Sequence, residues 1–145
     1  MKAVRHLLIV DDNPADVGLA CEALKQWAPG CRINSVPDGV EALAFLARRD
    51  KYVNAVRPDL VILDLNLPKR DGLSVLAAMK AGPDLRRIPV IMFSTSQLSR
   101  DVMRSYELGA NCYVCKPGNL TDFFAAMKSI EEFWFGSATL PPRGE

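Results

Sequence analysis

The chain has 145 residues, 49% of them hydrophobic and 24% charged, and at roughly 150 residues per domain this predicts one domain. Its 18 Lys and Arg against 17 Asp and Glu leave a formal charge of +1, so no basic field exists to hold nucleic acid or an anionic membrane. High apolar content with low net charge excludes a disordered chain, and no run approaches the ~18 apolar residues of a membrane span.

Leu7-Leu8-Ile9-Val10 is a continuous run of strand formers, the pattern of a strand buried on both faces of a parallel sheet. Asp11 and Asp12 follow too early to leave room for a signal-peptide core, so a cytoplasmic location is expected. Asn13 caps a first helix with Pro14 at its first position. Val17, Ala20, Leu24 and Trp27 then recur at helical spacing until Pro29-Gly30. Cys31 to Val36 is more mixed, as an edge strand can be. Asp38 with Glu41 three residues on resembles a capping box, ahead of a helix face carrying Val40, Leu43 and Ala47. After a long connection, Asp50 to Pro58, the run Leu60 to Leu63 reads as a third strand. Asp71-Gly72 opens a helix bearing Val75, Leu76 and Met79, which Gly82-Pro83 closes. Val90 to Phe93 is the fourth strand, followed by a helix over about Leu98 to Leu108. Cys112 to Cys115 is a second mixed strand, and a last helix covers about Leu120 to Phe135. The pattern is βα five times. Right-handed crossovers place helices on both faces of a parallel five-stranded sheet, an α/β sandwich of three layers.

Cys21, Cys31, Cys112 and Cys115 show no disulfide spacing. Cys112-x-x-Cys115 has the form of a redox or zinc motif, but residues i and i+3 on a strand face opposite ways. Zinc would also need four ligands, and the only histidine is His6. The thiols are read as small core residues in a reducing compartment.

In an open parallel sheet, binding groups gather beyond the carboxyl ends of the strands. There this chain carries Asp11 and Asp12, then Asp64 with Leu65, Asn66, Leu67 and Pro68, then Ser94-Thr95-Ser96, and finally Lys116-Pro117. Clustered carboxylates repel unless a cation lies between them, and hard oxygen donors suit Mg²⁺ or Mn²⁺. A carboxylate beside such an ion can attack phosphorus and hold an acyl phosphate. Lys116 and the Ser94 hydroxyl would then meet the phosphoryl oxygens. Singly, each group has a duller explanation: an acid favoured at a helix start, a surface lysine, a turn hydroxyl. Four strand ends carrying suitable groups together make the signal.

Four segments resemble the receiver domain of the two-component response-regulator family: Ile9-Val10-Asp11-Asp12; Leu63 to Pro68 with Asp71-Gly72; Phe93-Ser94-Thr95; and Tyr113-Val114-Cys115-Lys116-Pro117. The resemblance covers essentially the whole chain and implies a CheY-like, flavodoxin-like fold with strand order 2-1-3-4-5. It implies Asp64 as phosphoacceptor, taking phosphoryl from a sensor histidine kinase. Asp11 and Asp12 would be the acidic pair of a Mg²⁺ (or Mn²⁺) site completed by Asp64 and the Asn66 backbone carbonyl. Ser94 would be the switch hydroxyl, Lys116 the partnering lysine, and Tyr113 the aromatic switch residue. Departures are small: Leu67 stands where many members have Met, and Ser94 replaces the commoner Thr. The Asp50–Pro58 connection and the stretch from Arg57 to Pro68 are similar to regulators paired with bacterial phytochrome kinases, which implies a kinase of that type.

Residues 1–136 are expected to form the receiver and residues 137–145 a short tail, too little chain for a DNA-binding or catalytic output domain. Output is then expected through protein contact, not enzyme turnover. A homodimer through the C-terminal helix region is expected as well. Leu120, Phe123, Phe124, Met127, Ile130 and Trp134 share one stripe. Phe133, Phe135, Leu140, Pro141 and Pro142 add an apolar end suited to a two-fold contact. Rival functions fit less well. An aspartate-nucleophile phosphatase of the haloacid dehalogenase type wants a second carboxylate where Asn66 stands. A nucleotide or flavin carrier would want a glycine-rich phosphate loop after the first strand. A purely unphosphorylated interaction module would not need the complete acidic, hydroxyl and lysine set.

Overall fold

Strand and helix alternate five times in the computed structural model, which describes residues 4–142. In chain order these are β1 (His6–Val10), α1 (Pro14–Trp27), β2 (Arg32–Val36), α2 (Gly39–Ala47), β3 (Leu60–Leu63), α3 (Gly72–Ala81), β4 (Val90–Ser94), α4 (Ser99–Glu107), β5 (Cys112–Cys115) and α5 (Leu120–Glu131). All neighbouring strands pair in parallel, in the order β2-β1-β3-β4-β5. The fold class and strand order expected from the sequence are therefore the ones observed. The mixed runs are the two edges, and the unbroken apolar runs are the three central strands.

Alternation along those central strands builds two cores. Leu8, Val10, Val61, Leu63, Val90 and Met92 pack with Ala42, Phe45 and Leu46 of α2 and Val75, Leu76 and Met79 of α3. Leu7, Ile9, Leu60, Ile62, Ile91 and Phe93 pack with Ala20, Ala23 and Leu24 of α1 and Phe123, Met127 and Ile130 of α5. Because each central strand is covered on both sides, no polar alternation survives in its sequence.

Side-chain caps start several helices just beyond the strand ends. Asn13 accepts from Ala15 and Asp16, Asp71 from Ser74, and Asn119 from Asp122. At α2 the capping box is half made. Asp38 Oδ1 accepts the Glu41 N–H at 2.8 Å, but the Glu41 carboxylate accepts from the Tyr52 hydroxyl and pairs with Lys51 at 3.1 Å. The buried face of α2 also differs from the expected one: Val40 and Ala47 are exposed, and Ala42, Phe45 and Leu46 are buried. Leu43 does pack against that core as expected, and Gly39 lets the helix start come close to a neighbouring loop. A Cβ there would lie 2.1 Å from the Arg70 carbonyl oxygen, so the first turn of α2 is seated against the loop before α3.

The predicted last helix changes pitch. After α5, residues Glu132–Ser137 form a π-helical turn, so the expected boundary at residue 136 falls inside an ordered element. Leu120 is 56% exposed and Leu140 is buried, which removes both from their expected places in the core stripe and the apolar end. Phe133 remains outside at 53% exposure. Residues 1–3 and 143–145 of the expected receiver and tail lie outside the described residues. All four cysteines are free; Cys112 packs on the α1–α5 side, whereas Cys115 is exposed. Among the described residues no helix is long and apolar enough to cross a membrane.

Candidate functional site

The carboxyl ends of β1, β3, β4 and β5 form one rim, and the expected site residues gather there. Asp11 and Asp64 continue β1 and β3 beyond their last paired residues, held by backbone bonds from Asp11 N–H to Val36 at 3.1 Å and from Asp64 N–H to Val10 at 2.9 Å. Both are buried, and Asp12 beside them is exposed. Asp11, Asp12 and Asp64 each present a carboxylate oxygen within 4.8 Å of the others. Three hard anionic donors that close fit an oxygen-preferring divalent cation such as Mg²⁺ or Mn²⁺.

Lys116 answers this charge from just beyond the end of β5. Its backbone N–H donates to the Ser94 carbonyl at 2.8 Å, which sets the lysine beside the end of β4. Its ammonium donates to Asp11 at 2.7 Å, Asp16 at 2.9 Å and Asp64 at 3.0 Å, and it lies 5.9 Å from the centre of the Phe93 ring. Only 5% of the lysine side chain is exposed. Burial alone would lower the Lys116 pKa, but its bonds to Asp11 and Asp16 and the charges of Asp64 and Asp11 raise it above the usual value. Burial pushes the Asp11 carboxyl up, opposed by its bonds from Lys116 and the Asn13 N–H.

Asp64 keeps one oxygen lightly engaged. Its Oδ2 accepts from Lys116, whereas Oδ1 has only a long 3.4 Å contact from the Asn66 N–H. Gly72 makes this geometry possible: a Cβ at that position would lie 2.1 Å from the Asp64 carbonyl oxygen. Asn66 itself is exposed on the loop that follows.

Ser94 is fully buried, its hydroxyl accepting the Ser96 N–H at 3.3 Å. The Tyr113 hydroxyl donates to the Ser96 carbonyl at 2.8 Å, and its own N–H donates to the Tyr106 hydroxyl at 3.2 Å. Burial raises the Tyr113 pKa, while bonds to Ser96 and Ser94 pull the other way. The aromatic ring is thus tied to the hydroxyl loop it was expected to follow.

Asp16 is the group that sequence reasoning missed. It sits in the first turn of α1, where an acid is already explained by the helix dipole. Its contact with Lys116 spans 100 residues of chain. The available signal was an acid one turn after the Asp11-Asp12 pair, on the helix that leaves the same strand end.

A parallel α/β sandwich with acids, a hydroxyl and a lysine gathered on one rim has the groups that a signalling receiver carries. The family model described as response regulator receiver domain matches residues 7–128. The chain belongs to that family. It is 47% identical over 135 residues to response regulator Rcp1 of Synechocystis sp., covering 93% of this chain and 92% of that protein. The crystal structure of the phosphorylated cyanobacterial phytochrome response regulator RcpA superposes with a TM-score of 0.94 at 48% identity, covering 97% of this chain and all of that one. The Mn²⁺-bound form of Rcp1 superposes at 0.92 with 46% identity, covering 95% and 99%.

Proposed function

We propose that this receiver accepts a phosphoryl group from a sensor histidine kinase of the phytochrome type on Asp64, and signals through a phosphorylation-dependent change of its contact surface. The observation that carries the reading is the acidic trio, two members of which, Asp11 and Asp64, are paired with Lys116. The trio is a hard-ligand site beside a carboxylate with one lightly bonded oxygen. The likeness to RcpA, a cyanobacterial phytochrome response regulator, supports the kinase type.

Asp11, Asp12, Asp64 and the Asn66 carbonyl would hold Mg²⁺ or Mn²⁺. When bound, that ion supplies positive charge to the phosphoryl oxygens during transfer. Asp64 Oδ1 attacks phosphorus, the O–P bond forms as the N–P bond to the kinase imidazole breaks, and the imidazole leaves with a proton. Lys116 meets the transferred phosphoryl group as a fixed cation. Ser94 senses it by turning its hydroxyl toward the new oxygens, and Tyr113, bonded at Ser96, follows. The chain catalyses only its own phosphorylation and dephosphorylation.

The same reading places the protein in the cytoplasm beside its kinase, with residues 1–136 acting as the receiver unit. It adds a second copy of the chain docked over Phe133, whose exposed ring stands edge-on to Trp134 at 5.1 Å. Phosphorylation with acetyl phosphate and Mg²⁺ tests the central step. Wild type is expected to form an acid-stable, base-labile phosphoprotein, and Asp64→Asn is expected to lose it while keeping its circular dichroism. A phosphoprotein formed at the wild-type rate by Asp64→Asn would remove Asp64 as the nucleophile.

A further inference from the structure

Lys116 has three carboxylate partners, and only two of them belong to the tight acidic cluster. Its contacts to Asp11, Asp16 and Asp64, at 2.7, 2.9 and 3.0 Å, occupy all the hydrogens an ammonium has. Asp11, Asp12 and Asp64 form the group whose oxygens lie within 4.8 Å of one another, and Asp16 is not part of it. Asp16 comes instead from the first turn of α1, with its N–H on Asn13 Oδ1 at 3.2 Å. Its side chain is 23% exposed against 5% for Lys116, so it closes the pocket on the solvent side.

The geometry points to Asp16 as a positioning residue that keeps the Lys116 ammonium in the pocket once Asp11 and Asp64 commit their charge to a divalent cation. The inference rests on the function proposed above. Without the ion, Lys116 neutralises Asp11 and Asp64 directly. With it, those two carboxylates are shared with a doubly charged competitor that also repels the ammonium. A buried ammonium without a counter-charge leaves for water. Asp16, outside the ligand group, keeps its whole charge for Lys116 and so holds the lysine where a phosphoryl group on Asp64 will meet it. A neutral amide at this position would leave the lysine to compete with the ion or swing outward.

Amine footprinting of the unphosphorylated protein tests this directly. Lysines are acylated with acetic anhydride with and without saturating Mg²⁺, and the Lys116 peptide is quantified by mass spectrometry against the exposed Lys25. In wild type, Lys116 is expected to stay protected under both conditions. In Asp16→Asn, Mg²⁺ is expected to raise its labelling at least fivefold, and Asp16→Glu should restore protection. Protection that persists in Asp16→Asn with Mg²⁺ overturns the inference. Labelling that rises equally without Mg²⁺ overturns it too, because it would report a general loosening of α1. Phosphorylation of wild type on Asp64 is scored in the same preparations. Its loss would sink the functional reading, whereas normal phosphorylation with unchanged footprints would sink only the role of Asp16.

Discussion

Lys116 is the residue on which charge balance at the rim turns. Removing one member of a buried charge network leaves the others uncompensated. Lys116→Met is therefore expected to destabilise the metal-free protein by about 3 kcal/mol, and the deficit should shrink in excess Mg²⁺, which takes over the neutralising role. Urea unfolding in chelator and in Mg²⁺ measures both. The pH dependence has a definite sign. Folding raises the Lys116 pKa above its ordinary 10.5, so its contribution is complete below about that pH and fades as pH rises beyond it. Lys116→Met should lack that alkaline loss. At this scale Asp11, Asp12, Asp64 and Ser94 are readable from sequence because they stand at the ends of apolar runs, and Lys116 because it follows the last strand on the same rim. Asp16 is not, because its local role as a helix-start acid hides a partner on a distant strand.

Among the elements, α4 stands apart. It buries a single residue, Ser105, while Leu98, Met103 and Tyr106 around it are at least half exposed. Its start lacks a side-chain cap, and Ser96 in the loop after β4 ties it down, its hydroxyl donating to Asp101 at 2.6 Å. Few buried contacts mean a low cost of local opening. Amides of α4 are expected to exchange with deuterium faster than those of α1, α3 or α5, and phosphorylation should change α4 most; uniform protection across the helices would refute this. The central strands could be read from sequence because two-sided burial demands uninterrupted apolar residues. The buried face of α2 was legible only in part: Leu43 packs against the core as expected, but Ala42, Phe45 and Leu46 are buried where Val40 and Ala47 were expected. The pitch change after Glu131 was hidden. Phe133, Trp134 and Phe135 are all apolar, so α-helical and π-helical turns present the same composition to the core.

For the molecule as a whole, the α1–α5 layer ends in an apolar surface that the described residues do not cover. Phe133 is 53% exposed beside the half-buried Trp134 and Phe135. Such a patch on a small receiver suits a two-fold contact between copies. Sedimentation velocity at micromolar concentration is expected to show a dimer for wild type and a monomer for Phe133→Ser, with unfolding midpoints kept close. Phe133→Ser is the cleaner variant, since Trp134 also packs inward. A monomeric wild type would assign the surface to another partner.

The ion pairs of the rim have a consequence for how the molecule assembles. Lys116 reaches Asp11 across 105 residues and Asp64 across 52, so no fragment of the chain holds the pocket. Closing such loops is costly until the intervening strands have paired. β1, β3 and β5 must all be in register before the three charges meet, which makes the pocket a late product of folding. Loss of β5 from the sheet edge would dismantle it while much of the remaining core still stood. The pocket therefore forms only once β1, β3, β4 and β5 are in place, and a chain without β5 at its edge is expected to take no phosphoryl group.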